Sequence, residues 1–361
     1  MTQPDTHKQN SQITKNKAIG YAAPIALFLL LLGGVGVVFG CSSQPQATNQ
    51  PVSNQSTTQT QETAANSSLE PAVNWRTDNH VHGLTVNPDN PKVLYVATHN
   101  GLVKRSETGE WFWMEPEKER ADYMGFTAHP TDSKRFYASG HPHTGGNLGF
   151  QVTENLGQDW KQISMPGVDF HAMAVAPSNP NVFYAWPASG AQGFHASTDG
   201  GKTWTKPRMA GLGDAPFNLA VDPRNPDRVF ATTRAGLYES TNGGNDWTLV
   251  PNTQDAPVVG LALLKEGDST VMVGYRFLKS APGLYRSADG GKTWEQLGTG
   301  TKGTILYLAI APNNPQIFYA VNENNAIFQL TFRTLNCHMS SNYPETFTCS
   351  PDLGFLSSRN T

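Results

Sequence analysis

Ser197–Trp204, with the sequence STDGGKTW, occurs again almost unchanged at Ser287–Trp294 as SADGGKTW. A looser copy lies at Ser240–Trp247 (STNGGNDW), and two more divergent copies end at Trp160 and Trp111. Each copy follows a run of the type L-A-V-x-P-x-N-P-x-x-x-Y-A. A motif that returns about every 45 residues indicates an array of one small structural unit, so the chain consists of stacked copies of that unit.

Six units align, and each shows the same order of predicted strands. A first strand of the L-A-V type leads into an Asn-Pro turn, followed by a second strand of the V-F-Y-A type and a third of the G-L-Y-x-S type. The D-G-G hairpin then leads into a fourth strand that starts at Trp. Four-stranded units of this kind are the blades of a β-propeller. The sequence therefore predicts an all-β fold, a single six-bladed β-propeller, with seven blades as the alternative.

The sixth unit, LYLAIAPNNPQIFYAVNENNAIFQLTF, lacks the D-G-G hairpin and the Trp strand. Glu70–Trp75 lies just before the first unit and carries a tryptophan. An added outer strand would cover an otherwise exposed sheet edge. We therefore predict that this segment completes the sixth blade and closes the ring.

The composition agrees with a propeller and excludes some classes of partner. The chain has 34 Gly and 25 Pro among 361 residues, which suits many short strands joined by tight turns. Its formal net charge is -3, which argues against nucleic acid as a partner. We expect a monomer.

The first 41 residues read as an export signal. Three lysines precede an uncharged apolar stretch at 18–40, which ends before Cys41. Val38-Phe39-Gly40-Cys41 resembles a bacterial lipobox, which implies a lipidated Cys41 at the mature N-terminus. The alternative is an uncleaved transmembrane anchor, because the apolar stretch is long enough to span a bilayer. Both interpretations predict an exported, membrane-anchored, extracytoplasmic protein.

Three further regions follow the signal. Residues 42–69 are rich in Gln, Ser and Thr and predict a disordered tether. The propeller is assigned to 70–333, and the tail at 334–361 matches no repeat. The tail contains Cys337 and Cys349, which either form a disulfide in an oxidising compartment or remain free thiols.

The D-G-G hairpins have a mechanical role. The side chains of Asp199 and Asp289 are expected to bond backbone amides of their own turns, and Trp204 and Trp294 to pack between blades. These repeats resemble the Asp-box (BNR) families, which include sialidases, sortilin-type receptors, xyloglucan-degrading glycosidases and photosystem II assembly-factor propellers. The runs HVHGL, THNGL, DYMGF, ASGHP and DFHAMAV more narrowly resemble exported bacterial BNR proteins loosely labelled glycosyl hydrolases. The resemblance implies the fold and, at most, a glycosidase-like activity.

The repeat register also predicts a site at one face. The starts of the first strands and the ends of the second strands meet there, and units one to three contribute most of the polar side chains. The predicted metal or ligand residues are His80, His82, His99, His141 and His171; the predicted lining residues are Met124, His143, Arg234, Arg276 and Glu323. Imidazole, carboxylate and thioether groups are ligands of copper and zinc. Three interpretations stand: a copper or zinc site, a metal-free pocket for a small polar ligand, and a solvated mouth with no site.

A glycosyl hydrolase acting on extracytoplasmic glycans is the competing function. Asp122 and Asp169 occupy matching places in adjacent units and would be its acid and base, about 6.5–9.5 Å apart if the enzyme inverts. The resemblance to sialidases implies an arginine triad, whereas the candidate face has only Arg234 and Arg276. Sialidase activity is therefore not expected, and the question of an enzyme stays open.

Overall fold

The computed structural model describes residues 68–77, 79–254, 256–297 and 303–331, together with two short strands in the tail. The predicted export signal, Cys41 and all but the last two residues of the predicted tether lie outside these ranges. Within them, no helix has the length and apolar character needed to cross a bilayer.

The described strands between residues 70 and 331 form six antiparallel sheets in chain order, which are the six blades. Blade one consists of β1 (Glu70–Pro71), β2 (Val81–Val86), β3 (Leu94–Thr98), β4 (Gly101–Arg105) and β5 (Trp111–Trp113). Blade two consists of β6 (Ala121–Ala128), β7 (Phe136–Pro142), β8 (Phe150–Thr153) and β9 (Lys161–Ser164). Blade three consists of β10 (Asp169–Ala176), β11 (Asn179–Ser189) and β12 (His195–Ser197), and a bridge from Ala196 to Thr205 replaces its outer strand.

The other three blades repeat this plan. Blade four consists of β13 (Asn218–Val221), β14 (Val229–Thr233), β15 (Gly236–Ser240) and β16 (Thr248–Leu249). Blade five consists of β17 (Val258–Glu266), β18 (Ser269–Arg276), β19 (Gly283–Ser287) and β20 (Glu295–Gln296). Blade six consists of β21 (Ile305–Ile310), β22 (Ile317–Asn322) and β23 (Ile327–Thr331). In the tail, β24 (Cys337–Met339) pairs with β25 (Phe347–Cys349), and the backbone register sets Cys337 opposite Cys349.

The first strands of the blades surround a central axis. Each of β2, β6, β10, β13, β17 and β21 contacts the first strands of both neighbouring blades, and β21 contacts β2, so the ring is closed. The second strands are covered on both faces because blades stack face to face, and every residue of β3 and β14 is buried. The predicted single six-bladed propeller is confirmed.

The repeated hairpins are held by their own polar side chains. In the copy at Ser197–Trp204, the hydroxyl of Ser197 accepts the Gly201 amide at 3.0 Å, and Asp199 Oδ1 accepts the Thr203 amide at 2.9 Å. A Cβ on Gly201, whose φ is +79°, would lie 2.1 Å from the Phe150 ring of blade two. A glycine is required there because the turn needs positive φ and blade two approaches closely. The copy at Ser287–Trp294 makes the same bonds.

The prediction that the N-terminal segment completes blade six is wrong. Strand β1 instead pairs with β5 at the outer edge of blade one, with Glu70 opposite Trp113, and blade six keeps the three strands described above. Ala72, Trp75 and Asn79 then lie at the interface between blades one and six, where Trp75 is only 3% exposed. The segment therefore closes the ring by packing rather than by strand pairing.

Hydrogen bonds hold this closing segment against blade six. The side-chain amide of Asn325 donates to the carbonyl oxygens of Asn79 at 2.7 Å and Arg76 at 3.2 Å. In return, Arg76 Nε donates to the Asn325 carbonyl at 3.2 Å. Trp75 packs in the same cluster as Val321 of blade six and Val96 of blade one. These contacts join residues about 250 positions apart in the sequence, so they form only when all six blades are in place.

Candidate metal centre at the mouth of the propeller

The candidate site lies at the mouth, the end of the axis at which the first strands begin. In β2 and β10 a β-bulge interrupts the register close to this end. The extra residue of the bulge is His82 in β2 and His171 in β10, because neither has a partner across its strand pair. A bulge re-aims a side chain. Both imidazoles accordingly line a cavity of about 190 Å³ on the axis.

Asp122 lies at the centre of the cluster. It pairs with His141 of β7, at the second position of the β6–β7 ladder. Its Oδ2 atom lies 3.3 Å from His99 Nδ1 and 3.4 Å from His141 Nε2, and its Oδ1 atom lies 3.9 Å from His82 Nε2. The carboxylate is 7% exposed. Three histidines from two blades therefore surround one buried carboxylate.

Gly140 permits this arrangement. Its φ is +145°, and a Cβ at this position would lie 1.9 Å from the carbonyl oxygen of Asp122. Any residue other than glycine at position 140, within the ASGHP stretch, would displace the backbone that carries Asp122. Sequence reasoning placed His141 at the site and missed the need for Gly140. The signal was the glycine directly before the predicted ligand.

Asp169 extends the cluster into blade three. Its Oδ2 atom lies 2.8 Å from His171 Nε2 and 3.8 Å from His141 Nδ1, and its side chain is 7% exposed. His141 therefore lies between the two carboxylates, with one ring nitrogen toward each. Asp169 orients His171, as a carboxylate beside an imidazole commonly does around metal sites.

Burial controls the charge of the central groups. Burial first, and then the neighbouring imidazoles with His99 the largest of these, together lower the pKa of His82 to about 2. Burial also lowers the pKa of His99, although Asp122 opposes this effect. For Asp122, burial raises the pKa, His99 and His141 oppose the rise, and Asp169 adds to it. His82 is therefore a neutral imidazole at neutral pH, which is the form that coordinates metal ions.

Three donor atoms of the cluster have the spacing of a metal site. One nitrogen each of His82 and His99 and one oxygen of Asp122 all lie within 4.8 Å of one another. Ligands of a tetrahedral zinc ion with bonds of about 2.0–2.1 Å lie about 3.4 Å apart, so small side-chain shifts suffice to bind one. His82 Nε2 and Asp122 Oδ1 are buried and have no hydrogen-bond partner among the described residues. An unpartnered buried polar group costs about 1–3 kcal/mol, which a bound cation would offset.

The other predicted residues are distributed unevenly around the mouth. His80 and His143 are exposed, and Met124 is partly buried in β6. Arg234 is exposed beyond the end of β14. Glu323 lies against Gly303 in blade six, and its Oε2 atom is buried without a described partner.

Arg276 does not line the mouth as predicted. It is 6% exposed, and its guanidinium lies over the rings of Tyr285 and Trp294. Its Nη2 atom donates to the carbonyl of Asn252 at 2.6 Å. The side chain therefore points into the interface between blades four and five, because residues at one strand end alternate between the two faces of the blade.

Comparison with known proteins places the chain by fold and not by family. No family model matches it. It is 27% identical, over 195 residues, to a probable oligoxyloglucan-reducing end-specific xyloglucanase of Neosartorya fischeri. The alignment covers 48% of this chain and 24% of the relative.

Among solved structures, the chain is similar to a GH74 enzyme of Niastella koreensis, with a TM-score of 0.51, 17% identity and coverage of 69% of this chain and 43% of that one. A second similar structure is YCF48 from Cyanidioschyzon merolae, with a TM-score of 0.40, 15% identity and coverage of 63% and 70%. The chain thus spans less than half of the xyloglucanase relative and of the GH74 enzyme. The likeness to the GH74 structure shows that this chain has the fold of a β-propeller.

Proposed function

We propose that the mouth of blades one to three binds one divalent transition-metal ion, copper or zinc, through His82, His99 and Asp122. The observation that carries the proposal is the pair of buried atoms without partners, His82 Nε2 and Asp122 Oδ1, 3.9 Å apart beside the His99 ring. A buried neutral imidazole and a buried carboxylate that face each other with no bridging hydrogen bond are stabilised by a shared cation.

Three protein ligands leave a coordination position open. Structural zinc sites usually have four protein ligands, whereas sites that bind an external molecule have three and one open position. The axial cavity lies beside the cluster and is lined by His82 and His171, so a small polar ligand has access to that position. Both imidazole nitrogen and carboxylate oxygen suit copper and zinc, and Cu²⁺ is expected to bind more tightly than Zn²⁺.

The first test is metal analysis of untagged protein. Wild-type protein exposed to Cu²⁺ or Zn²⁺ and freed of excess metal should retain one ion per chain by elemental analysis. Replacing His82 by alanine removes a ligand, so the affinity should fall by at least about 100-fold, since loss of a residue that only orients a ligand already costs about 10–100-fold.

His129→Asn is the matched control for this test. His129 Nδ1 accepts the amides of Thr131 and Asp132 in the turn after β6, at the place where Asn87 accepts the same kind of bonds after β2. Asparagine should therefore preserve that turn while removing one histidine outside the cluster. Wild-type protein that retains neither metal would contradict the proposal, as would equal loss of affinity in both variants.

A glycosyl hydrolase is the second candidate, and the 27% identity to the xyloglucanase favours it. Asp122 and Asp169 would be the acid and the base, and one imidazole, that of His141, lies between them. Burial raises the pKa of Asp122, which suits the residue that donates the proton.

The two candidates separate by a hydrolysis assay on xyloglucan oligosaccharides. Under the second function, Asp122→Asn and Asp169→Asn should each lower the rate by about 10²–10⁴, because each removes a proton-transfer group. Asp132→Asn, in the turn after β6, is the control. Activity that survives a chelator but is lost in both cluster variants would favour the glycosidase, whereas a wild-type chain without hydrolysis would dismiss it.

The proposed setting is the outer side of a membrane, with the propeller held by lipid on Cys41. This part rests on the sequence alone, namely the charged start, the apolar stretch at 18–40 and the following cysteine. Cys41→Ala should abolish labelling by a radioactive or clickable fatty acid. Serine at position 41 should behave in the same way, because neither side chain has a thiol. A variant that stays membrane-bound and uncleaved would support the transmembrane-anchor alternative.

A further inference from the structure

Three imidazoles lead from the surface of the mouth to the buried ligand. The ring centroids of His80 and His99 are 5.2 Å apart, and those of His99 and His82 are 4.4 Å apart. His80 is exposed, the His99 side chain is 41% exposed, and the His82 side chain is 10% exposed. The imidazole ladder, defined as His80, His99 and His82, therefore has one end in solvent and the other at the proposed metal centre.

Local backbone structure sets the order of the ladder. His80 lies directly before β2 and His99 directly after β3, and the amide of His99 donates to the carbonyl of His80 at 3.2 Å. This bond extends the β2–β3 pairing by one step and brings the two rings to the rim. His82 occupies the bulge of β2, which turns its ring toward the axis.

We propose that the imidazole ladder is the route by which the metal ion is loaded; the inference rests on the metal centre proposed above. An ion that arrives on a weak small-molecule chelator binds His80 and His99 first, and the chelator leaves. His80 is then exchanged for His82 and Asp122, while His99 serves both positions. In the first step, bonds to His80 and His99 would replace the chelator's bonds to the ion; in the second, the bond to His80 would break as bonds to His82 and Asp122 form, and the oxidation state of the ion would not change.

The burial of the inner ligands favours such a route. His82 and Asp122 are 10% and 7% exposed, so they are less accessible to a chelated ion than the exposed His80 is. Stripping a divalent ion of all its ligands before entry would cost far more than stepwise exchange, because an isolated charge is poorly solvated in a protein interior. His99, the partly exposed imidazole between the two positions, keeps one bond to the ion while the other bonds are exchanged.

The test separates the rate of metal uptake from the final affinity. Cu²⁺ is delivered as its glycine complex to the full propeller. A stopped-flow instrument measures the rate of uptake from the quenching of tryptophan fluorescence, and competition at equilibrium measures the affinity. His80→Ala should slow uptake by about tenfold. Its Kd should change by less than about twofold, because His80 is not among the final ligands.

His143→Ala is the matched control, since His143 is also an exposed histidine at the mouth. It should load at the wild-type rate. An unchanged rate in His80→Ala overturns the loading route, and so does equal slowing in both variants, which would reflect only the local density of imidazoles. Loss of affinity that parallels the loss of rate also overturns it, because His80 would then be a permanent ligand. Wild-type protein that takes up no copper would contradict the proposed metal centre itself.

Discussion

Replacing Trp75 by alanine should lower the free energy of unfolding by about 3–5 kcal/mol, the usual cost of truncating a large buried aromatic residue. Trp75 is 3% exposed between blades one and six, where it packs with Val96 and Val321. Its ring lies 4.8 Å from that of Trp111, and the guanidinium of Arg76 lies over both rings. The substitution opens a cavity at the one interface that joins the two ends of the propeller.

Chemical unfolding followed by circular dichroism measures this effect. Val73→Ala is the control, because Val73 lies in the same segment and is 76% exposed; it should change stability by less than about 0.5 kcal/mol. Asn325→Ala should fall between the two, at about 1–3 kcal/mol, since it leaves the carbonyls of Asn79 and Arg76 without their donor. A Trp75→Ala protein as stable as Val73→Ala would show that the ring closes without this segment.

The second large effect is a dependence of stability on pH caused by Glu115. Its Oε2 atom accepts the Leu102 amide at 3.1 Å and its Oε1 atom accepts Trp160 Nε1 at 3.1 Å, so it joins blades one and two. Burial raises the pKa of Glu115 to about 7 from its ordinary value of 4.5, and these hydrogen bonds oppose the rise. In the corresponding place of blade four, the hydroxyl of Thr253 accepts the Leu237 amide without a charge.

The sign follows from proton binding. Between pH 4.5 and about 7 the folded chain holds a proton on Glu115 that the unfolded chain has lost, so stability falls as the pH rises through this window. Over this window the titration of Glu115 lowers the free energy of unfolding by about 3 kcal/mol. The decrease is complete above pH 7 and absent below pH 4.5. Glu115→Gln resembles the protonated form and should remove the loss.

Urea unfolding of both proteins between pH 4.5 and 8 isolates the contribution of Glu115. The difference in unfolding free energy between Glu115→Gln and wild type should grow by about 3 kcal/mol over this range, in favour of the variant. Other titrating groups, including the histidines at the mouth, are common to both proteins and cancel in the difference. Glu117→Gln, at an exposed position nearby, should follow wild type. Parallel curves for wild type and Glu115→Gln would contradict the assignment.

The repeat register predicted the propeller because it rests on short-range patterns. Each unit carries its own apolar strands, and the side-chain bonds that shape the D-G-G hairpins link residues no more than four apart, such as Asp199 and Thr203. The same register predicted that His82, His99, Asp122 and His141 share one mouth. Equivalent positions in successive blades must lie at equivalent places around the axis.

The register does not show which way a side chain turns at the end of a strand. Arg276 has the right position in the repeat, yet its guanidinium enters the interface between blades and bonds Asn252. His82 and His171 face the cavity because each occupies a bulge, and no local sequence pattern predicted either bulge. Which of the predicted residues share a donor-atom cluster was therefore decided by register shifts of one residue.

The sequence by itself determined the blade, the number of blades and the face that gathers the histidines, because all three follow from periodicity within and between neighbouring units. Only the tertiary structure decided how the ring closes and which atoms meet at the mouth. Closure depends on Trp75, Arg76 and Asn79 contacting Asn325 and Val321, residues that approach only after six blades have stacked. No periodic sequence pattern predicts a contact between residues so far apart in the chain, because its partners lie in different units. Its geometry depends on the sum of the stacking angles between blades.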